Sequence, residues 1–282
     1  MSLVQQLVKE AETLKPMSPV VPKIVAMADD PGVNFETIAN VIRYDPAVTV
    51  GLLRVCNSAY FALPRKVETV IQAISLLGMD MVFNLTLMKS AGANLKKQNK
   101  GYGLYEGELW KNAVASALVA KQTAIHIGND NPSMIFTATL LKDIGKVVLD
   151  RFVQDKFAQI KTLVSKGNIS FRKAEKQVLG LDHAELGGLI AKKWDFSPRM
   201  INIIRNHHAP DCRGENAQDI CIVYLSDVVC MITGVGSGAD ALSYEFHPEV
   251  MELLGISSED LQEIIATFGE NLTEVERLVT VV

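Results

Sequence analysis

Apolar residues recur along this chain at intervals of three and four, the spacing that lines one face of an α-helix. Phe35, Ile38, Ala39 and Ile42 form one such stripe, with Asn34 placed to cap its start. Asp45-Pro46 restarts the chain, proline being suited to a first helical turn, and Leu52, Leu53, Val55 and Cys56 carry the next buried face. Val70, Ile71, Ala73, Ile74 and Leu77 form another, stopped by Gly78, and Met81 to Ala91 continues as a further apolar helix. Leu109 to Ile127 predicts a long Ala/Val/Leu helix, and Asn131-Pro132 opens the next, which leads into Lys142-Asp143. Asp182 and Glu185 have the spacing of a helix start, ahead of Leu186, Leu189, Ile190 and Trp194. Ser197-Pro198 caps a helix running to His207-His208, and Ile220 to Ile232 is apolar around Asp227. Ser257 with Asp260 precedes a stripe of Leu261, Ile264, Ile265 and Phe268. Strand signals are weak, with no alternating run between Asn-Gly or Asp-Gly turns, so the pattern predicts an all-α fold.

One stretch interrupts the helical rhythm. Residues 94–107 are polar and carry three glycines, which predicts a boundary between an N-terminal helical lobe over 1–105 and a second lobe over 106–282. The length of 282 residues suits one large domain or two small ones. A net charge of -4 provides no general basic field, so nucleic acid is not an expected partner. No run of about 18 apolar residues occurs, and a membrane span is not expected. The N-terminal residues lack the pattern of a signal peptide. Cys56, Cys212, Cys221 and Cys230 form no Cys-x-x-Cys pair and read as free thiols of a cytoplasmic protein.

Several polar residues are embedded in these apolar helices: Asn112, Lys142, Asp143, His183, His207, His208 and Asp227. Helices that bury such groups must pair them or lose several kcal/mol to desolvation. A structural polar network and a metal or catalytic site account for them equally well. His and Asp sets suit divalent metals, but the spacing matches no local motif such as His-Glu-x-x-His.

Resemblance to known families sharpens the choice. The apolar run ending in Leu-Lys142-Asp143-Ile-Gly-Lys146 resembles the His-Asp-Ile-Gly-Lys signature of HD-type phosphohydrolases, with lysine in the histidine position. Residues 17–90 resemble the front of the HDOD family, the HD-related output domain of bacterial signalling proteins. The matching text is Pro19-Val-Val-Pro22, Ile38-Ala39, Ile42, Asp45-Pro46, Leu52 to Phe61 with its Asn-Ser-Ala-Tyr-Phe, and Val70 to Gly78. Behind it stand Asp182-His183-Ala-Glu-Leu-Gly, Ile204-x-x-His207-His208 and Tyr224-Leu-Ser-Asp227, so the likeness covers residues 15–235. It implies two helical lobes, the second related to HD phosphohydrolases. In catalytic relatives a histidine follows the Leu-Trp pair, here Leu109-Trp110, and the matching position is Asn112. The His-Asp pair maps onto Lys142-Asp143, later histidines onto His183, His207 and His208, and the last aspartate onto Asp227. The Gly-Tyr-Pro signature of the cyclic-di-GMP phosphodiesterase branch is missing after His207-His208.

Asn is a poor ligand beside a neutral imidazole, and an ammonium repels a dication. The reading is therefore a non-catalytic, cytoplasmic signal-transduction protein with a degenerate metal site, which binds a signalling protein or a small nucleotide-like ligand. No cofactor and no metal are expected. The alternative is an HD-type metal-dependent phosphohydrolase acting on a nucleotide or cyclic dinucleotide, whose divalent ion would fall to Asp143, His183, His207 and Asp227. Lys142 is expected to pair with Asp143 or Asp227, and His183 to be a buried, hydrogen-bonded histidine. Lys146 is either a phosphate-binding or a solvated lysine. His207 and His208 should point about 100° apart on a helix, so that only one faces the pocket. Asn57, Ser58, Tyr60 and Phe61 read as a structural turn with its aromatics packed inside, or as a ligand or partner surface. Any input to the chain should come through binding, because no receiver segment is recognised in it.

Overall fold

The helices begin where the sequence supplies an acceptor for their first free N–H groups. Asn34 Oδ1 accepts from Thr37 N, Asp45 from Ala47 N and Val48 N, and Ser197 from Met200 N. Thr69 with Gln72, and Asp182 with Glu185, form reciprocal capping boxes. Pro46, Pro132 and Pro198 each lie in a first turn, where the missing N–H costs nothing.

The structure, a computed structural model, describes residues 2–14, 17–28, 30, 32–167, 169–240 and 247–281. In chain order the helices are α1 (Leu3–Thr13), α2 (Val20–Ala28), α3 (Phe35–Arg43), α4 (Pro46–Cys56), α5 (Val70–Leu77), α6 (Met79–Leu95), α7 (Glu108–His126) and α8 (Pro132–Leu141). They continue with α9 (Ile144–Gly167), α10 (Phe171–Leu179), α11 (His183–Lys193), α12 (Pro198–Asn206), α13 (Ala217–Ile232), α14 (Glu249–Leu254) and α15 (Ser258–Val281). Among the described residues there is no strand, only an isolated bridge between Asn99 and Leu104. None of these helices is long and apolar enough to cross a membrane. The all-α expectation is met.

Helix α7 organises the interior. It packs most extensively on α8 and also against α13 and α15, while α11 packs on α12 and α9. Helices α2 to α6 pack on one another and reach α8 through α2 and α6. Trp110 and Trp194 are both buried in the resulting core. The predicted stripes have the right period but not always the right phase. Ile38, Ala39 and Ile42 are buried, whereas Phe35, Ile71 and Leu189 are exposed. A 3.6-residue period identifies a face but does not say how wide the facing surface is.

The polar segment between α6 and α7 does not run through solvent as a linker. Lys100–Tyr102 forms a single 3-10 turn in which Gly101 and Tyr102 are buried against α9. Gly101 N donates to Asp150 Oδ1 at 2.8 Å, and a Cβ on Gly101 would overlap the Asp150 carbonyl. The polarity of this stretch serves local hydrogen bonding, and the core runs continuously past it.

Two glycine substitutions should therefore have opposite signs. Gly101→Ala should destabilise by about 1–3 kcal/mol, because backbone must move to admit a methyl group. Gly269→Ala, in the exposed interior of α15 with nothing near the added carbon, should stabilise by about 0.5–1 kcal/mol through the helix propensity of alanine. Urea denaturation midpoints of the two variants decide the matter; equal shifts in the same direction would contradict this account.

Candidate functional site

Helix α8 stops at Leu141, and Lys142 and Asp143 make the two-residue turn into α9. Lys146 follows on the first turn of α9. His183 opens α11, His207 caps α12 with His208 just beyond it, Asp227 lies within α13, and Asn112 within α7. Gly145 makes the assembly possible: a Cβ there would collide with the His183 carbonyl, so only glycine lets the starts of α9 and α11 touch. Gly236, with φ +59, plays a similar part beside Asn112, whose Cβ lies 2.8 Å from where its own would be.

Lys142 is fully buried. Its ammonium group donates to Asn112 Oδ1 at 2.8 Å, pairs with Asp143 Oδ2, and lies 3.0 Å from Asp227 Oδ1. Asn112 completes the link by donating from Nδ2 to the Val235 carbonyl at 3.0 Å. Lys146, buried rather than solvated, lies 2.8 Å from Asp143 Oδ1 and donates to Asp240 Oδ2 at 2.6 Å. On the opposite side stand the histidines. His183 Nδ1 is 2.8 Å from Glu175 Oε2, and the same oxygen accepts from the His183 backbone N–H at 2.8 Å. Glu175 Oε1 accepts from the Tyr102 hydroxyl. His183 Nε2 lies 2.9 Å from His208 Nε2 and 3.7 Å from Asp143 Oδ1. His207 Nδ1 is 2.7 Å from the Ile204 carbonyl, which can only accept, so this nitrogen carries the proton. His207 Nε2 then presents a lone pair 3.9 Å from Asp143 Oδ1 and has no hydrogen-bond partner, while that oxygen faces the Lys146 ammonium.

The charges follow from burial and pairing. Burial alone would raise the Asp143 carboxyl, but the Lys142 and Lys146 charges outweigh it and hold the group well below the usual range. Asp227 is lowered in the same way, chiefly by Lys142. Burial would lower Lys142, but Asp143 and Asp227 keep it above its ordinary value. Burial likewise acts to lower His183, and the Glu175 carboxylate overcomes it and raises the ring. His207 has no such partner, so burial brings it down to about 4. His208 falls well below its usual value through burial and the neighbouring His207.

The expectation that only one of His207 and His208 would face the site is overturned. Both belong to a group with Asp143 and His183 whose donor atoms all lie within 4.8 Å of one another. The physical reason is that α12 ends at Asn206, so the 100° helical increment no longer applies past it. Asp227, grouped with the histidines in the alternative metal set, has Oδ1 on Lys142 and Oδ2 3.8 Å from His208 Nδ1. Sequence reasoning missed Tyr102, Glu175 and Asp240. Glu175 left a signal: it falls on the buried face of α10 with Phe171, Ala174 and Leu179, where an unpaired carboxylate would be costly.

The turn after α4 is a separate place. Asn57 donates to the Leu53 carbonyl at 2.8 Å and the Val67 carbonyl at 2.7 Å, and accepts from Val67 N at 2.8 Å. It pins the loop that holds Ser58, Tyr60 and Phe61. Tyr60 and Phe61 stack edge to face at 4.7 Å and are only half-buried. Tyr60 borders a cavity of about 400 Å³ that is also lined by Met81, Lys121 and Phe268.

The two halves of the cluster differ in their fitness for metal. Between Asn112, Asp143 and Asp227 the ammonium of Lys142 already supplies the cation. Around His183, His207 and His208 the cluster is made of imidazoles, and the buried His207 Nε2 has no hydrogen-bond partner. Known proteins share this sequence pattern and this fold. The family model of the HDOD domain matches residues 14–210. An HDOD domain protein of unknown function from Geobacter sulfurreducens superposes with a TM-score of 0.73 at 24% identity, over 98% of each chain. A proposed signal transduction protein from Marinobacter aquaeolei VT8 gives 0.77 at 19%, over all of this chain and 61% of the other. A proposed phosphohydrolase from Shewanella amazonensis SB2B gives 0.68 at 20%, over 98% and 97%. These likenesses establish a common fold. An uncharacterized protein from Treponema pallidum (strain Nichols) is 25% identical over 183 residues, and this chain spans 34% of its length.

Two tests follow from the electrostatics. Lys142→Ala leaves two buried carboxylates without their shared cation and should cost about 3–5 kcal/mol; a urea midpoint equal to that of the unaltered protein would refute the internal ion pair. The second test uses pH, in chelator-treated buffer. An unfolded histidine takes up its proton near pH 6.5, whereas folded His207 resists until about 4. The unfolded state therefore binds more protons in this window, so stability falls as the pH is lowered from 6.5 towards 4. His208 acts in the same sense, while His183, raised, contributes stability that is lost at higher pH. Between pH 7 and pH 5 His207 alone should remove on the order of 2 kcal/mol, and His207→Gln should flatten the dependence. A slope unchanged by that substitution would count against the assignment.

Proposed function

The chain belongs to the HDOD family, and we propose that it serves as a non-catalytic signal-transduction protein, binding a signalling partner or a small ligand without turning it over. One observation carries this reading: the Lys142 ammonium, fully buried, sits against Asn112, Asp143 and Asp227. Hydrolysis by a bound metal requires an ion that both lowers the pKa of a water and keeps an open position for it. A lysine does neither, having no vacant coordination position and no acidity near neutral pH.

Space supports the same conclusion. The cleft between Asn112, Lys146, Asp227 and Asp240 holds about 30 Å³. That is roughly the share of one water molecule in the liquid, about 30 Å³, and far below the roughly 300–1,000 Å³ of ordinary ligand pockets. Among the described residues, that cleft is too small to enclose a nucleotide-like ligand. The cavity of about 400 Å³ beside Tyr60 reaches that range, which favours a small-ligand role at the α6–α7–α15 junction over one at the polar cluster. The four free cysteines suit a cytoplasmic setting.

The competing reading, an HD-type metal-dependent phosphohydrolase acting on a nucleotide or cyclic dinucleotide, draws its support from Asp143 and the three clustered histidines. The two readings separate in a direct assay. With Mn²⁺, Mg²⁺ or Fe²⁺ added, the protein should release no product from cyclic dinucleotides or nucleotides at rates of about 1 s⁻¹ or above, the low end of ordinary enzyme turnover. Metal-stimulated release at such rates, lost in Asp143→Ala, would establish the hydrolase instead.

A further inference from the structure

We infer that Cys212 and Cys221 form a dithiol that closes reversibly to a disulfide, making the loop between α12 and α13 a modification site for small hydroperoxides. This goes beyond the signalling reading and is independent of what the protein binds elsewhere.

Three features support it. The first is position. Cys212 lies in the turns that join α12 to α13, and Cys221 lies near the start of α13. Their sulfurs are 3.6 Å apart, within hydrogen-bond reach of one thiol for the other. The second feature is unequal access. Cys212 is partly exposed, whereas Cys221, Cys56 and Cys230 are buried. Burial raises the Cys56 thiol to about 11 and the Cys230 thiol to about 12, so both stay protonated and inert near neutral pH. Cys221 is raised too, first by burial, then by Cys212 and by the carboxylates of Glu249 and Asp211. It keeps its proton until it reacts. Cys212 is therefore the sulfur that meets an oxidant, and Cys221 the one that resolves the product. Access to solvent and a resolving partner in contact are two marks of redox-responsive cysteines.

The third feature is freedom to close. A disulfide brings its sulfurs to about 2.05 Å, so one side must yield by about 1.5 Å. Helix α13 is poorly placed to do so, being buried from Asp219 to Cys230. The loop is held at its two ends, where Ala209 N donates to the Asn206 carbonyl at 2.9 Å and Asn202 Nδ2 to the Glu215 carbonyl at 3.0 Å. Between them, Arg213 N donates to Asp211 Oδ1 and Gly214 N to the Asp211 carbonyl, both at 3.0 Å. These bonds are internal to the turn, which can move towards α13 as a unit.

The chemistry balances with hydrogen peroxide as the oxidant. Cys212, deprotonated, attacks one peroxide oxygen. The O–O bond breaks, the other oxygen leaves and takes up the proton as water, and Cys212 becomes a sulfenic acid. The Cys221 sulfur then attacks the Cys212 sulfur. The S–S bond forms, the S–O bond breaks, and the hydroxyl leaves with the Cys221 proton as a second water. Two thiols are oxidised and one peroxide is reduced. Thiol reductants of a reducing cytoplasm reverse the step, so the disulfide is transient there. Cys212 stands four residues after His208, which places the modification on the segment leading out of the polar cluster.

The test uses the full chain, reduced with dithiothreitol and dialysed into buffer containing a chelator. Hydrogen peroxide is added in small excess, and thiols are counted after unfolding. Two of the four should disappear, the intact mass should fall by two hydrogens, and peptide mapping should join Cys212 to Cys221. Dithiothreitol should restore all four. Cys212→Ser should keep its three remaining thiols under the same treatment. Cys221→Ser should stop at the sulfenic acid and take up one dimedone; should this buried substitution disturb the helical circular dichroism, the Cys212→Ser result decides alone. Survival of all four thiols, a disulfide joining other cysteines or two chains, or equal thiol loss in Cys212→Ser overturns the inference. None of these outcomes touches the signalling reading, which rests on Lys142.

Discussion

An interior assembled from apolar helix faces can hold ionised carboxylates only if each meets a countercharge or a set of donors. Three carboxylates, Asp143, Glu175 and Asp227, lie buried at the meeting point of α7, α9, α10, α11 and α13, with Asp240 at its edge. The cost of desolvating such groups runs to several kcal/mol each. Pairing is therefore a condition of folding here, and it governs the arrangement around it. Lys142 can reach Asn112, Asp143 and Asp227 at once only if α8 breaks where it does. Lys146 can reach Asp143 only from the first turn of α9. Glu175 holds His183 through Oε2 while Oε1 accepts from the Tyr102 hydroxyl, which the 3-10 turn brings in from the other side.

Much of this could be read from the amino acids and some of it could not, for identifiable reasons. The helices announced themselves because apolar period and capping chemistry coincide at Asn34, Asp45, Thr69, Asp182 and Ser197. Lys142 was legible as an anomaly, a charged residue closing an apolar run. Glu175 shares an apolar face with Phe171, Ala174 and Leu179, but the flanking Arg172, Lys173 and Lys176 drew attention from it as three exposed-type charges. Tyr102 was hidden in a glycine-rich stretch whose polarity suggested exposure, while its hydrogen bonds are met inside the protein. The joint placement of His207 and His208 could not be read from spacing, because it depends on the residue at which α12 ends. Helix ends are where periodic reasoning stops.

The site joins two kinds of chemistry in one small volume. The starts of α9 and α11 touch at Gly145, where a side chain would collide with the His183 carbonyl. At Asn112 and Lys142 a neutral amide and an ammonium complete the charge balance around Asp143 and Asp227. That side of the cluster is a set of fixed contacts.

A cation carried on a side chain differs from a bound one in its thermodynamics. A metal stabilises the folded state in proportion to the logarithm of its free concentration over its dissociation constant. Its contribution rises and falls with supply, and a stronger competitor removes it. The ammonium of Lys142 has no dissociation constant with respect to the chain and no external reservoir. It is present at the same stoichiometry from synthesis to degradation. The part of the structure organised by Lys142 is thereby withdrawn from the cell's metal economy, and its occupancy is set by translation alone.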